Sequence, residues 1–355
     1  MTIAATMTDP ELPRVSVVIP VRNEAGFIGR NLEAVLAQDY PPDRLEILVA
    51  DGRSTDGTRD VVEQMAARLL RDGTGARIVL VDNPERIMPT GTNAAIRRST
   101  GDVIVLMGGH AAMPSNYLRA CVTTLIDKQA DCASGALDSV GSGVVGEAIA
   151  AAMSSPFGIG NSGFRTVTSG EPFEVDTIPF GAYRRTVFER IGLFNPHMVR
   201  HQDYELNWRV RAAGMKMLLI PGLRATYHVR STLGALWKQY WPNGIWKGRF
   251  LRNHPQSLRI RHLVPSAFAL ALVLTGIGGA FFGPLRLLCG AVAGAYAGFL
   301  LIALASFASR GQWKLLPVMP AVLLCLHLSY GLGVWYGLLL PPVPPAPAFE
   351  PVRHS

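Results

Sequence analysis

Between residues 15 and 107 the apolar positions switch repeatedly between short β-rich runs and stretches with helical spacing. Residues 15–20 form one such run. Residues 25–38 follow with Phe27, Ile28, Leu32, Val35 and Leu36 on one helical face. Residues 45–50, 77–81 and 103–107 read as further strands, with helices predicted over 58–70 and 93–99. Short strands alternating with helices predict an α/β domain on a parallel sheet, whose ligands sit outside the carboxyl ends of the strands. After residue 262 the pattern changes. Residues 263–283, 287–307 and 315–340 are almost uninterrupted apolar stretches, each long enough to cross a hydrocarbon core of about 30 Å as a helix. The short link 284–286 predicts a helical hairpin between the first two.

Composition supports a folded, membrane-associated chain. Of 355 residues, 49% are hydrophobic and 17% charged, and the mean hydropathy is +0.23, which excludes disordered and collagen-like proteins. Cys121, Cys132, Cys289 and Cys325 form no CxxC pair, so neither a disulfide scaffold nor a thiolate zinc site is expected. No cationic segment followed by an apolar run opens the sequence, so no cleavable signal peptide is expected.

The net charge of +8 is unevenly placed. Arg230, Lys238, Lys247, Arg249, Arg252, Arg259 and Arg261 crowd residues 230–262, which hold no acidic residue. Nucleic acid is not expected as a partner, because that would ask for a basic face and a reading motif on the folded domain itself. Arg310 and Lys314 fall between the second and third apolar stretches. The positive-inside rule then makes this a multi-pass protein of the cytoplasmic membrane, with its N-terminal domain cytoplasmic and its Pro-rich end, 341–355, on the far side. Leu236, Trp237, Tyr240, Trp241, Ile245, Trp246 and Phe250 interleave with the cations, as in helices lying in the headgroup layer. A basic linker packed on the soluble domain is the alternative. The expected organisation is a tail (1–13), an α/β domain (14–230), basic aromatic interfacial helices (231–262), three transmembrane helices (263–283, 287–307, 315–340) and a Pro-rich tail (341–355).

The ends of the expected strands collect polar residues and glycines at one sheet edge. The first delivers Pro20, Val21, Arg22, Asn23 and Glu24, the second Asp51 and Gly52, and the fourth Gly108, Gly109 and His110. Residues 54–58 read as a turn capping the next helix, with Asp56 near its N-terminus, whereas Asp51 is assigned to the site. No P-loop follows a strand and no GxGxxG opens a helix.

Taken in order, Val17-Val18-Ile19-Pro20-Val21-Arg22-Asn23-Glu24, Asp51-Gly52-Arg53-Ser54-Thr55-Asp56-Gly57-Thr58, Gly101-Asp102-Val103-Ile104 and Gln202-Asp203-Tyr204-Glu205-Leu206 resemble the inverting family-2 glycosyltransferases. The run Val175-Asp176-Thr177-Ile178-Pro179-Phe180-Gly181-Ala182-Tyr183-Arg184-Arg185 and the basic aromatic stretch are similar to the membrane-anchored succinoglycan-biosynthesis branch. The resemblance implies a GT-A fold, a Rossmann-like mixed sheet, followed by a bundle of three transmembrane helices.

It also implies site residues. Pro20, Arg22 and Glu24 match the segment lining the nucleotide pocket, and Asp51 matches the carboxylate that accepts hydrogen bonds from uracil. Asn93 matches a polar position near the donor, with a plain role at the helix N-terminus as the alternative. Phe180, Gly181 and Ala182 match the loop beside donor and acceptor. Asp203 matches the catalytic base, which takes the proton from the attacking hydroxyl, and Gln202 replaces the acidic residue before it. A surface salt bridge with neighbouring arginines is the alternative for Asp203.

The departure lies at the metal. Where the family ends its fourth strand with Asp-x-Asp, this chain has Gly108, Gly109 and His110. Three readings stand. His110 coordinates a divalent cation, Mn or Mg, with His228 as second ligand. Alternatively, His110 and arginines such as Arg184 or Arg230 neutralise the diphosphate without metal, or activity has decayed.

The expected activity is inverting transfer of a hexose from a UDP-sugar to a polyprenyl-linked saccharide at the cytoplasmic leaflet, in cell-surface polysaccharide synthesis. Association with other polysaccharide-assembly proteins is a further expectation. A processive polysaccharide synthase is one alternative, weakened because Gln239-Tyr240-Trp241-Pro242 breaks the QxxRW spacing. A non-catalytic membrane scaffold of the same fold is the other.

Overall fold

The computed structural model describes residues 12–108 and 112–347. The chain begins with β1 (Val15–Val21), α1 (Ala25–Leu36), β2 (Leu45–Asp51), α2 (Thr58–Asp72), β3 (Arg77–Asp82), α3 (Met88–Arg98), β4 (Val103–Leu106) and α4 (Tyr117–Asp127). Next come β5 (Cys132–Val140) and three helices, α5 (Gly143–Met153), α6 (Pro156–Ile159) and α7 (Gly163–Thr166). The chain continues through β6 (Phe173–Glu174), β7 (Ala182–Arg184), α8 (Arg185–Ile191), α9 (Gln202–Ala212) and β8 (Met217–His228). Four long helices close it: α10 (Leu233–Asn253), α11 (Ile260–Gly279), α12 (Gly283–Ser309) and α13 (Met319–Leu339).

The strands form one eight-stranded sheet in the order β3-β2-β1-β4-β7-β5-β8-β6. β1 pairs in parallel with β2 and β4, and β2 with β3, whereas β4 and β5 both pair antiparallel with β7. The sheet is therefore mixed. All of β2 and β4 is buried, as strands covered on both faces must be. Val18, Leu48, Ile104 and Leu106 from the sheet share a core with Tyr183, Phe188, Phe194, Leu206 and Val210, so α8 and α9 are fastened to the centre of the sheet.

The four strands expected before residue 107 are present within one residue at each end. The third helix starts at Met88, five residues before its expected start, because Pro89 occupies its first turn, where the missing N–H costs nothing. Pro284 sits in the first turn of α12 for the same reason, so the hairpin link is 280–282.

Contacts divide the chain into two compact units. The first holds the described residues up to Asp138, Val167–Tyr227 and 345–347, and the second holds Ser139–Thr166 with His228–Pro344. Residues 139–166 thus pack with the C-terminal helices. α5 is apolar almost throughout and buries Ile149, Ala152 and Met153 there, and Glu147 pairs with Lys314 at 2.5 Å. α11, α12 and α13 are each long and apolar enough to cross a membrane. α11 and α12 run antiparallel, with Gly279 against Arg286 and Phe268 stacked on Tyr296 at 4.2 Å between ring centroids.

Candidate active site

The parallel register sets Val21 beside Asp51 and Asp51 beside Asp82, so three strands release their chains at one edge. The loops after β1 and β2 are laced together there. Asn23 N donates to Ser54 Oγ at 2.8 Å, Glu24 N to Thr58 Oγ1 at 2.8 Å, Ala25 N to Asp56 Oδ2 at 3.0 Å, and Thr55 N to Asn23 Oδ1 at 2.9 Å. Hydrogen bonds from Thr58 and the Ala25 amide hold the Asp56 carboxyl below its ordinary range. Residues 54–58 therefore do more than cap α2: they fix the backbone of the segment holding Pro20, Arg22 and Glu24. Arg22 is exposed, and its stem packs on Gly52.

Asp51 is wholly buried at the end of β2. Its carboxylate accepts the Ser54 amide at 3.1 Å and the Arg59 guanidinium at 3.0 Å, and Arg59 lies 3.6 Å from Asp82. A buried carboxylate needs such a partner. Arg59, on the first turn of α2, was not singled out from the sequence.

Across the edge, Gly108 follows β4 and Phe180 lies over it. A Cβ at residue 108 would sit 3.1 Å from Phe180 Cε1, so the ring takes the space that a larger residue would claim. Phe180 has φ +44°, and its carbonyl accepts Tyr117 Oη at 3.0 Å. Gly181 and Ala182 are buried beneath it, with Leu106 N donating to Gly181 O at 2.9 Å. Gly109 and His110 lie outside the described residues.

Asp203 occupies the first turn of α9, which is held from below. Glu205 is buried and pairs with Arg209 through two hydrogen bonds of 2.7 and 2.8 Å, and Arg209 also donates to the carbonyls of Ile191, Gly192 and Leu193. Asn207, wholly buried, accepts Tyr183 Oη at 3.0 Å and donates to Thr177 Oγ1 and Ile178 O. The salt bridge considered for Asp203 belongs to Glu205 instead. Water reaches Asp203, whose side chain is exposed, yet protein crowds it enough that desolvation raises its pKa to about 6. Its charge in turn pushes up the Tyr183 phenol, whose main perturbation is burial. Gln202 Nε2 contacts Met88 Sδ at 2.7 Å.

Two further residues, Asn93 and Arg184, have their polar groups engaged by backbone. Asn93 is spent on the backbone of Phe194, donating to its carbonyl at 2.8 Å and accepting its amide at 2.9 Å, so its amide holds α3 to the segment after α8. Arg184 pairs with Val103 across β4 and β7, at the start of β4 and so at the opposite edge, where it donates to Ala130 O and Leu125 O. It cannot serve a diphosphate bound at the other edge. His228 is exposed at the end of β8. Among the described residues no three His, Cys, Asp or Glu side chains gather as a metal site. Ala112 forms a β-bridge with Thr226, with Thr226 N donating to Ala112 O at 2.8 Å.

Residues 16–192 match the family model described as glycosyl transferase family 2. The succinoglycan biosynthesis protein ExoA of Rhizobium meliloti is 26% identical over 344 residues, 94% of this chain and 98% of that protein. A dolichyl N-acetyl-α-D-glucosaminyl phosphate 3-β-D-2,3-diacetamido-2,3-dideoxy-β-D-glucuronosyltransferase of Methanococcus voltae is 28% identical over 272 residues, 74% of this chain and 82% of that one. Among solved structures, the mannosyltransferase PcManGT of Pyrobaculum calidifontis, in complex with GDP-Man and Mn2+, superposes with a TM-score of 0.57 at 21% identity, over 93% of this chain and 90% of that chain. That likeness is one of fold, a GT-A-like mixed α/β sheet with apolar C-terminal helices here.

Proposed function

Because this chain belongs to glycosyltransferase family 2, we propose that it transfers a hexose from a UDP-sugar, with inversion, to a polyprenyl-linked saccharide, using Asp203 as the base. The observation that carries this reading is the placement of Asp203. It stands at the solvent-reached end of a helix whose Glu205, Asn207 and Arg209 side chains are locked, and its pKa of about 6 leaves it ionised but basic near neutral pH. Inversion is a single displacement at the anomeric carbon. As the acceptor oxygen bonds to that carbon, its proton passes to Asp203 and the nucleotide leaves with the bonding electrons. Lipid-linked and polysaccharide substrates are supported by the relatives in Rhizobium meliloti and Methanococcus voltae, whose names concern succinoglycan and a dolichyl-phosphate-linked sugar. The apolar helices and the cations of α10 suit an anionic lipid acceptor, a cytoplasmic catalytic domain and neighbouring assembly proteins.

Asp51 and the laced loops are proposed to hold the nucleotide. Replacing Asp51 by Asn keeps the shape but removes a charged acceptor, which is worth about 1.5–3 kcal/mol, or about 10–150-fold in Kd. Calorimetry should show that weakening for UDP in a variant whose melting remains cooperative. Unchanged UDP affinity would remove Asp51 from the pocket.

A divalent cation remains part of the proposal, since PcManGT was solved with Mn2+. When bound, such an ion neutralises charge on a leaving diphosphate. The described residues do not assemble its ligands. EDTA is expected to abolish transfer and manganese to restore it. Activity that survives EDTA, together with an inactive His110→Asp variant, would leave His110 as a hydrogen-bond donor to the diphosphate.

A further inference from the structure

The last apolar helix, α13, is paired with α10 in a way that bears on how the chain meets the membrane. Their contacts advance together. Cys325 Sγ lies 3.5 Å from Leu233 O, a Cβ on Gly333 would lie 2.5 Å from Trp241 O, and Gly248 and Gly337 pack on the backbones of Val334 and Ile245. Further along, Arg252 Nη1 donates to Leu340 O at 2.7 Å, Arg249 Nε to Pro341 O at 2.9 Å, and Asn253 Nδ2 to Val343 O at 2.5 Å. Residue numbers rise on both helices, so the two are parallel along their whole length. Gly244 and Gly248 on α10 face Gly333 and Gly337 on α13, the small-residue spacing that lets two backbones touch.

Successive membrane crossings alternate in direction. If α10, α11, α12 and α13 all crossed, the fourth would run opposite to the first, which the register excludes. If α13 crossed and α10 stayed at the surface, the two could not lie side by side from end to end. α10 carries Lys238, Lys247, Arg249 and Arg252, which a hydrocarbon core disfavours.

We propose that α10 and α13 lie together in the lipid headgroup layer on the side of the catalytic domain, that only the α11–α12 hairpin enters the hydrocarbon core beyond them, and that the C-terminus returns to the side from which the chain entered. This replaces the expectation of a C-terminus on the far side, and it holds whichever face of the membrane the domain occupies. Burial agrees: 44% of the apolar window of α13 is covered by protein, against 6% for α12. So does chemistry. Trp237 and Trp241 stack at 6.4 Å, Trp241 and Tyr336 at 5.8 Å, and the Arg249 guanidinium lies 4.5 Å from the Trp246 ring centroid. Indoles, a phenol and cations spread over both helices are what a headgroup layer accepts.

The test uses the full chain in intact cells, with Cys289 and Cys325 replaced by Ser and one new cysteine at a time: Thr74→Cys in the catalytic domain, Gly283→Cys at the hairpin tip, or Ser355→Cys at the C-terminus. A membrane-impermeant maleimide is applied before and after permeabilisation. Thr74→Cys and Ser355→Cys should label from the same side, and Gly283→Cys should not label from that side. Ser355→Cys labelling with Gly283→Cys would overturn the proposal, as would all three labelling from one side. If Thr74→Cys proves external while the pairing holds, the proposal stands and the cytoplasmic placement of the domain fails.

Discussion

Asp203→Asn will lower the rate of transfer by about two to four orders of magnitude while leaving UDP affinity almost unchanged. The amide preserves shape and hydrogen bonding but cannot take the acceptor's proton. Fold will not confound the result. Asp203 is exposed at the start of its helix and the amide matches its shape, so the substitution should leave the fold intact. The Asp203 pKa of about 6 predicts the acid limb of the wild-type profile. The rate should fall about tenfold per pH unit below about 6, as the base becomes protonated, and the limb should vanish in whatever residual activity the Asn variant keeps. Steady-state turnover against pH, with UDP binding by calorimetry, checks both. Near-normal turnover in the variant would end the assignment of Asp203.

Glu205→Ala is expected to have the largest effect on stability in the catalytic unit. Glu205 and Arg209 form a buried pair, and removing one partner of such a pair costs about 3–5 kcal/mol. Arg209 keeps the carbonyls of Ile191, Gly192 and Leu193, which places the loss near the lower end. A loss of about 3 kcal/mol lowers Tm by about 6–12 °C in a domain of this size. Thermal melting in detergent measures it. Glu205→Gln, which retains the shape and part of the hydrogen bonding, should lose less. Because α9 carries Asp203, turnover of the Ala variant should drop even at temperatures where it stays folded. An unchanged Tm would show that the pair contributes nothing net to folding.

Much of the fold was legible because its information is local. The strands of the parallel half are short, largely apolar and bounded by turn residues, and the three long apolar stretches need only length and hydropathy to be seen. What stayed hidden depends on partners distant in sequence. The antiparallel β7 is three residues long and gives no periodic signal, so nothing local shows that Arg184 lies at the opposite edge from the site. The commitment of Asn93 to Phe194 spans 101 residues. Within the proposed site, Asp51 and Asp203 were named by motif type and order, whereas Arg59 against Asp51, Asn207 on the helix of Asp203 and Phe180 over Gly108 act through contacts that spacing does not reveal. Glu205 and Arg209 were the exception. One helical turn separates them, and that interval alone could have named the pair. The alliance of α5 with the C-terminal helices was likewise out of reach, since a short apolar helix looks the same in either unit.

The lacing of the β1–α1 and β2–α2 loops determines when the entropy of ordering them is spent. Two free loops would each lose conformational freedom on meeting a ligand, at about 1–2 kcal/mol for every residue fixed. Here the side chains of Asn23, Ser54, Asp56 and Thr58 fasten each loop to the other's backbone, so that loss is incurred once, as the chain folds. A ligand arriving at this edge meets a surface already in shape, and its intrinsic interactions appear as affinity with little deduction. The two loops also share a fate: cutting a single tie frees residues on both strands, so the edge should loosen as one body and not loop by loop.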